Sequence, residues 1–179
     1  MKPLLAVLMV AILAVGGSAR LDSGGFLFRS ITVGGEEFKY AVYVPRDYDG
    51  SRAWPAVLFL HGAGECGRDG QKQLAVGLAP ALMLHADRWP CIVVCPQKPE
   101  QGKQWEEYDA AVMAMLAAAE REWKIDPNRV TLTGLSQGGH GAWTIGAAHA
   151  DRFAAVAPVC GYIRGAEASE LARKLGDRP

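Results

Sequence analysis

The 179-residue chain carries no excess of charge of either sign: 19 lysines and arginines face 19 aspartates and glutamates. It has no basic cluster either, so it lacks the electrostatic footprint of a nucleic-acid-binding surface. No G-K-[ST] is present, which argues against a phosphate-cradling nucleotide site. Four cysteines and four histidines occur, but with no C-x-x-C and no Cys/His spacing of zinc ligands, so neither metal nor cofactor is expected. Internal repeats and low-complexity segments are missing, and half of the residues are hydrophobic, which excludes a disordered or fibrous chain.

Pro3 to Gly17 is uncharged but too short for a bilayer span, which needs about 20 apolar residues. It follows Lys2 and ends in the small residues Gly17-Ser18-Ala19, the pattern of a secretory signal peptide. Residues 1–19 are therefore expected to be a cleaved leader, with export to a periplasmic or extracellular location and no stable membrane span afterwards. Residues 20–179 would form the domain. An exported chain could pair Cys66, Cys91, Cys95 and Cys160, and several pairings stay open. Cys91 and Cys95 bound a strand-like run and would sit about 13 Å apart. A bridge needs Cα atoms within about 7 Å, so buried thiols are expected for these two.

Strands and helices alternate. Phe38–Val44 is β-rich and stops at Pro45; Ala56–Leu60 is a continuous apolar run, as in a strand buried on both faces. Gln71–Leu84 is compatible with a helix, interrupted by Pro80, and Ile92–Val94 is the next buried strand. Trp105, Tyr108, Val112, Leu116, Ala119 and Trp123 recur at three- and four-residue steps, which predicts a helix over Trp105–Lys124. Asp126-Pro127-Asn128 should then turn the chain. Val130–Thr133 reads as a strand, Gln137–Ala150 as a helix of small residues and Phe153–Val159 as a strand. The order β-β-α-β-α-β-α-β predicts an α/β domain with a mostly parallel, doubly wound sheet. Ala168, Leu171, Ala172 and Leu175 mark one more helix, capped by Gly176. A further strand would be expected after it, so the domain is expected to be partial, with C-terminal strands missing.

The chemistry centres on Gly134-Leu135-Ser136-Gln137-Gly138, a G-x-S-x-G pattern between a predicted strand and a predicted helix. Such a turn throws the serine hydroxyl above the sheet at a helix N-terminus, where backbone N–H groups favour a developing oxyanion. A second glycine-rich loop, His61-Gly62-Ala63-Gly64-Glu65, ends the Ala56–Leu60 strand at the sheet edge where ligands bind in open parallel sheets. The N–H groups of Ala63 and Gln137 are the expected oxyanion donors, with Gly64 a substitute for the former; Glu65 would brace the loop.

These two motifs, with Trp123-Lys124-Ile125-Asp126-Pro127-Asn128-Arg129-Val130 leading into the second, resemble the α/β-hydrolase superfamily. The resemblance covers about residues 38–162. It points to exported carboxylesterases, feruloyl esterases and polyhydroxyalkanoate-depolymerase-like proteins, related to phospholipase/carboxylesterase proteins. It implies hydrolysis of small-molecule or polymer-borne esters through an acyl-enzyme on Ser136, without metal or organic cofactor. A serine peptidase of the same fold and a non-catalytic secreted module remain as alternatives.

Enzymes of this kind carry the triad acid and histidine after the serine. Here His61 belongs to the first loop, His85 lies at a helix end, His140 is one turn along the helix from Ser136, and His149 ends that helix near Asp151. None is expected to serve as the base, so the 179-residue chain should hydrolyse esters poorly. Trp105 is expected in the core, and Tyr162, after the last strand, is a candidate pocket wall.

Overall fold

The computed structural model describes residues 24–163 and 167–176; the leader expected at 1–19 lies outside them. Six strands form one sheet in the order β1-β2-β4-β3-β5-β6: β1 (Gly25–Val33), β2 (Glu36–Val44), β3 (Trp54–Leu60), β4 (Ile92–Pro96), β5 (Ile125–Leu135) and β6 (Ala155–Val159). β3 pairs in parallel with β4 and β5, and β5 with β6, while β2 runs antiparallel to both β1 and β4. Among the described residues the α-helices are α1 (Leu78–Leu84), α2 (Asp109–Glu122), α3 (Gln137–Ala148) and α4 (Glu167–Leu175).

Side chains alternate across the central strands, and each set enters a different core. Leu58, Leu60, Val94, Val130 and Leu132 pack under α2 and α3 with Val112, Leu116 and Ile145. Tyr43, Phe59, Val93 and Cys95 pack on the other face with Leu82 of α1. This two-sided burial is why β3 and β4 read as unbroken apolar runs rather than alternating ones.

The structure corrects several boundaries. β1 was not anticipated; it pairs with β2 through Gly34-Gly35, both at positive φ (61° and 85°), as the tight turn of a twisted hairpin demands. The helix expected over Gln71–Leu84 divides into a 3₁₀ turn (Lys72–Leu74) and α1, because Gly77 between them takes φ 68° against the Phe59 ring. Pro80 falls in the first turn of α1, where a missing N–H breaks no helical bond. The helix expected from Trp105 opens as a 3₁₀ turn over Trp105–Tyr108, held by a Gln104/Glu107 capping box, before α2 begins. Asp126-Pro127-Asn128 does not end the strand region. Asp126 accepts a hydrogen bond from the Asn128 N–H, and the extra residues form an irregularity within β5, which pairs again with β3 from Val130. Gly176 ends α4 at φ 61°, its N–H donating to the Ala172 carbonyl.

Candidate active site

Three registers bring the loops together. Leu60 of β3 lies opposite Gly134 of β5, Leu135 lies opposite Val159 of β6, and β4 is the other neighbour of β3. The segments that follow β3, β4, β5 and β6 therefore meet at one edge of the sheet.

Ser136 links β5 directly to α3. Its backbone takes φ 56°, ψ −112°, a left-sided conformation that costs a non-glycine residue of order 1–3 kcal/mol. Two hydrogen bonds hold it there: the Ser136 N–H donates to Val159 O at 2.9 Å, and its carbonyl accepts from the His140 N–H at 3.0 Å. The residue is exposed, although Gln137 through His140 are buried. The flanking glycines are required by contact distance. A Cβ on Gly134 would lie 2.2 Å from Gly138 O, and one on Gly138 would lie 2.0 Å from Leu60 O. Close seating of α3 on the end of β3 is thus possible only without those side chains.

The same closeness brings the loop after β3 to the serine. A Cβ on Gly62 would stand 3.7 Å from Ser136 Cβ and 3.0 Å from a Glu65 carboxylate oxygen. His61, fully buried, controls this loop. Its Nε2 accepts the Lys98 N–H at 2.9 Å, so the ring proton sits on Nδ1 and is donated to Gly62 O at 2.6 Å. The Trp105 indole N–H donates to His61 O at 3.0 Å, and its ring meets the imidazole edge-on at 4.9 Å. Desolvation pushes the His61 pKa down to about 4, and the hydrogen bond to Gly62 offsets only part of that. The neutral ring fixes the Gly62–Ala63 peptide plane. Ala63 is half-buried and Gly64 exposed in the 3₁₀ turn that follows.

The loop after β4 forms the opposite wall. Lys98 is buried and its ammonium donates to the carbonyls of Glu100, at 2.7 Å, and Lys103. The Gln137 side chain donates to Gln101 O and Lys103 O at 3.2 and 3.3 Å, which ties the residue after the serine to this loop. Lys98, Gln101 and Gln104 gave no sign of this in the sequence, since only strand order brings their loop to Gln137, His61 and Tyr162.

The histidines are used elsewhere. His140 lies between the Tyr162 carbonyl, 2.8 Å from Nδ1, and the Glu106 carboxylate, 3.2 Å from Nε2, with its ring stacked on Tyr162 at 4.7 Å. The Tyr162 hydroxyl donates to Gln104 at 3.0 Å, so this ring stands beside the loop that follows β4. His149 pairs with the Asp109 carboxylate at 2.8 Å rather than with the adjacent Asp151. His85 is exposed at the end of α1. Trp105 is buried in the core. All four cysteines are free. Among the described residues no group of three or more His, Cys, Asp and Glu side chains is placed to hold a metal ion.

A serine at a strained strand-to-helix turn, on a mixed sheet with helices on both faces, defines an α/β-hydrolase. The Esterase family model matches residues 31–168, and the chain belongs to that family. Among solved structures, a thermostable esterase is 31% identical with a TM-score of 0.75, over 86% of this chain and 44% of that one. The feruloyl esterase module from Clostridium thermocellum, solved with sinapinate, is 18% identical with a TM-score of 0.67, over 87% and 60%. An S-formylglutathione hydrolase from Staphylococcus aureus is 13% identical with a TM-score of 0.64, over 84% and 61%. The chain thus spans less than two thirds of the length of each of these proteins. No curated protein matches.

Proposed function

We propose that the protein is a carboxylic ester hydrolase in which Ser136 is the nucleophile. The observation that carries this reading is the exposed serine held at φ 56° between β5 and α3, since such strain persists where a reaction uses it. In the proposed cycle the Ser136 oxygen attacks the ester carbonyl and the alcohol leaves, forming an acyl-enzyme that water then hydrolyses. Ala63 N–H and Gln137 N–H receive the oxyanion, with Gly64 N–H as a substitute for the former. The His61–Gly62 hydrogen bond supports this assignment: holding the Gly62 carbonyl on one side directs the Ala63 N–H of the same peptide to the other.

The proton acceptor for Ser136 and its acidic partner are assigned to chain beyond residue 179. Three of the four histidines have partners away from the serine, and the chain spans 44% of the thermostable esterase. An unactivated serine is a weak nucleophile, and loss of a triad member leaves a residual acceleration of roughly 10³–10⁴ over water. Residues 1–19 are assigned as an export leader, which makes the natural substrate a small or polymer-borne ester outside the cytoplasm.

The decisive measurement is p-nitrophenyl acetate hydrolysis by residues 20–179 and by a chain extended with the downstream coding sequence. The extended protein is expected to turn over and to lose roughly six orders of magnitude in kcat on Ser136→Ala. An extended chain whose hydrolysis survives Ser136→Ala would overturn the nucleophile; rapid, Ser136-dependent turnover by residues 20–179 alone would overturn the missing base. A parallel panel of peptide amides separates esterase from peptidase.

A further inference from the structure

The loop that carries two of the proposed oxyanion donors also carries a carboxylate that nothing in the fold uses. Gly62 fixes the geometry: a Cβ built on it would stand 3.0 Å from a Glu65 carboxylate oxygen and 3.7 Å from Ser136 Cβ. The acid and the nucleophile therefore flank one point beside the strand-to-helix turn. Bracing of this loop falls to groups other than the Glu65 side chain. His61 Nδ1–H holds Gly62 O at 2.6 Å, and the Gln97 amide donates to Glu65 O at 3.3 Å. Among the described residues no hydrogen bond or ion pair reaches the half-buried Glu65 carboxylate.

The cations of the neighbouring loops are already committed. The Lys98 ammonium donates to Glu100 O and Lys103 O, Lys103 pairs with Glu100 at 2.9 Å, and Arg68 pairs with Glu36 at 2.6 Å. Attack on an ester builds negative charge on the carbonyl oxygen, and an uncompensated carboxylate beside the nucleophile opposes that charge. Such a group suits catalysis where the substrate itself brings the missing positive charge.

We propose that Glu65 is a specificity-determining residue that selects esters bearing an ammonium group a few bonds from the carbonyl and rejects those bearing a carboxylate there. The inference rests on the ester-hydrolase reading and names a substrate class for it. With the ester carbonyl at the Ser136 hydroxyl, an ammonium group in the alcohol or the acyl chain comes within reach of the Glu65 carboxylate. The pair then offsets the field that opposes the oxyanion. A carboxylate in the same place meets like-charge repulsion, and Lys98, Lys103 and Arg68 are held by other partners.

The test measures kcat/KM of the extended chain on isosteric ester pairs. Butyrylcholine against its uncharged carbon isostere puts the charge in the alcohol. The p-nitrophenyl ester of trimethylammoniobutyrate against its carbon isostere puts it in the acyl group, and p-nitrophenyl glutarate supplies the anion. In at least one series the cationic ester should be preferred about tenfold, and the preference should shrink as salt is raised. Glu65→Gln keeps the shape and removes the charge; it should abolish the preference and speed hydrolysis of the neutral isostere. Glu65→Lys should favour the glutarate ester. Equal kcat/KM within both pairs for the unsubstituted protein overturns the proposal, whether or not a variant folds. A preference that survives Glu65→Gln overturns it too. Ser136-dependent hydrolysis without charge preference leaves the ester-hydrolase reading standing, whereas no hydrolysis of any of these esters overturns both.

Discussion

His61 shows how one buried side chain can hold a loop. Its two ring nitrogens are committed in opposite senses, Nε2 accepting from Lys98 and Nδ1 donating to Gly62, so only the neutral ring satisfies both. Above pH 6.5 the ring is neutral in folded and unfolded chains alike. As pH falls, the unfolded chain takes up the proton first, and the folded chain resists it down to about 4. Stability is therefore lost between those values, by up to about 3 kcal/mol. Urea midpoints at pH 7, 5 and 4 should show this fall in the parent protein and a shallower one in His61→Gln. Equal slopes in the two proteins would remove His61 as the cause. Trp105→Phe keeps the packed ring but strips the donor from His61 O, and should cost about 1 kcal/mol by the same measurement.

At the scale of elements, the junction of β3, β5 and α3 is set by backbone contact rather than side-chain packing. Gly138→Ala would drive a methyl to 2.0 Å from Leu60 O, against backbone that cannot turn aside. A loss of at least about 3 kcal/mol, read as a large drop in Tm or as insoluble protein, is expected. Gly64→Ala is the control, because nothing lies within 4 Å of its added Cβ, and its Tm should stay within a few degrees. If both substitutions behaved alike, contact distance would not be what these glycines serve. β1 and the divided α1 region show what local reading overlooks. The Gly34-Gly35 pair was a visible hairpin signal, whereas Gly77 is fixed by the Phe59 ring, 18 residues away in the chain.

For the whole molecule, the two faces of the sheet are unequally covered. α2 and α3 cover one, while α1 reaches β3 and β4 on the other and leaves an apolar groove of about 460 Å³ lined by Val57, Phe59, Leu78, Trp89, Leu135 and Val159. Val159, on the edge strand β6, is 49% exposed. Exposed apolar surface beside an open strand edge promotes self-association. Val159→Lys should raise the concentration at which residues 20–179 remain monomeric by light scattering. An unchanged threshold would place the association surface elsewhere. Among the described residues no helix is long and apolar enough to cross a membrane.

By itself the sequence settled the periodic and the punctuated parts: apolar runs for the central strands, the stripe of α2, and a G-x-S-x-G turn between strand and helix, because these depend on residues close in the chain. It also marked the His61–Glu65 loop as the partner of Ser136. Tertiary structure alone decided the rest. Strand order put the loops after β3, β4 and β6 around one serine, set the Lys98 N–H on the His61 ring, and gave His140 and His149 to Glu106 and Asp109. The three histidine contacts join residues 34 to 40 positions apart, and no local pattern encodes a distance that only the folded sheet creates.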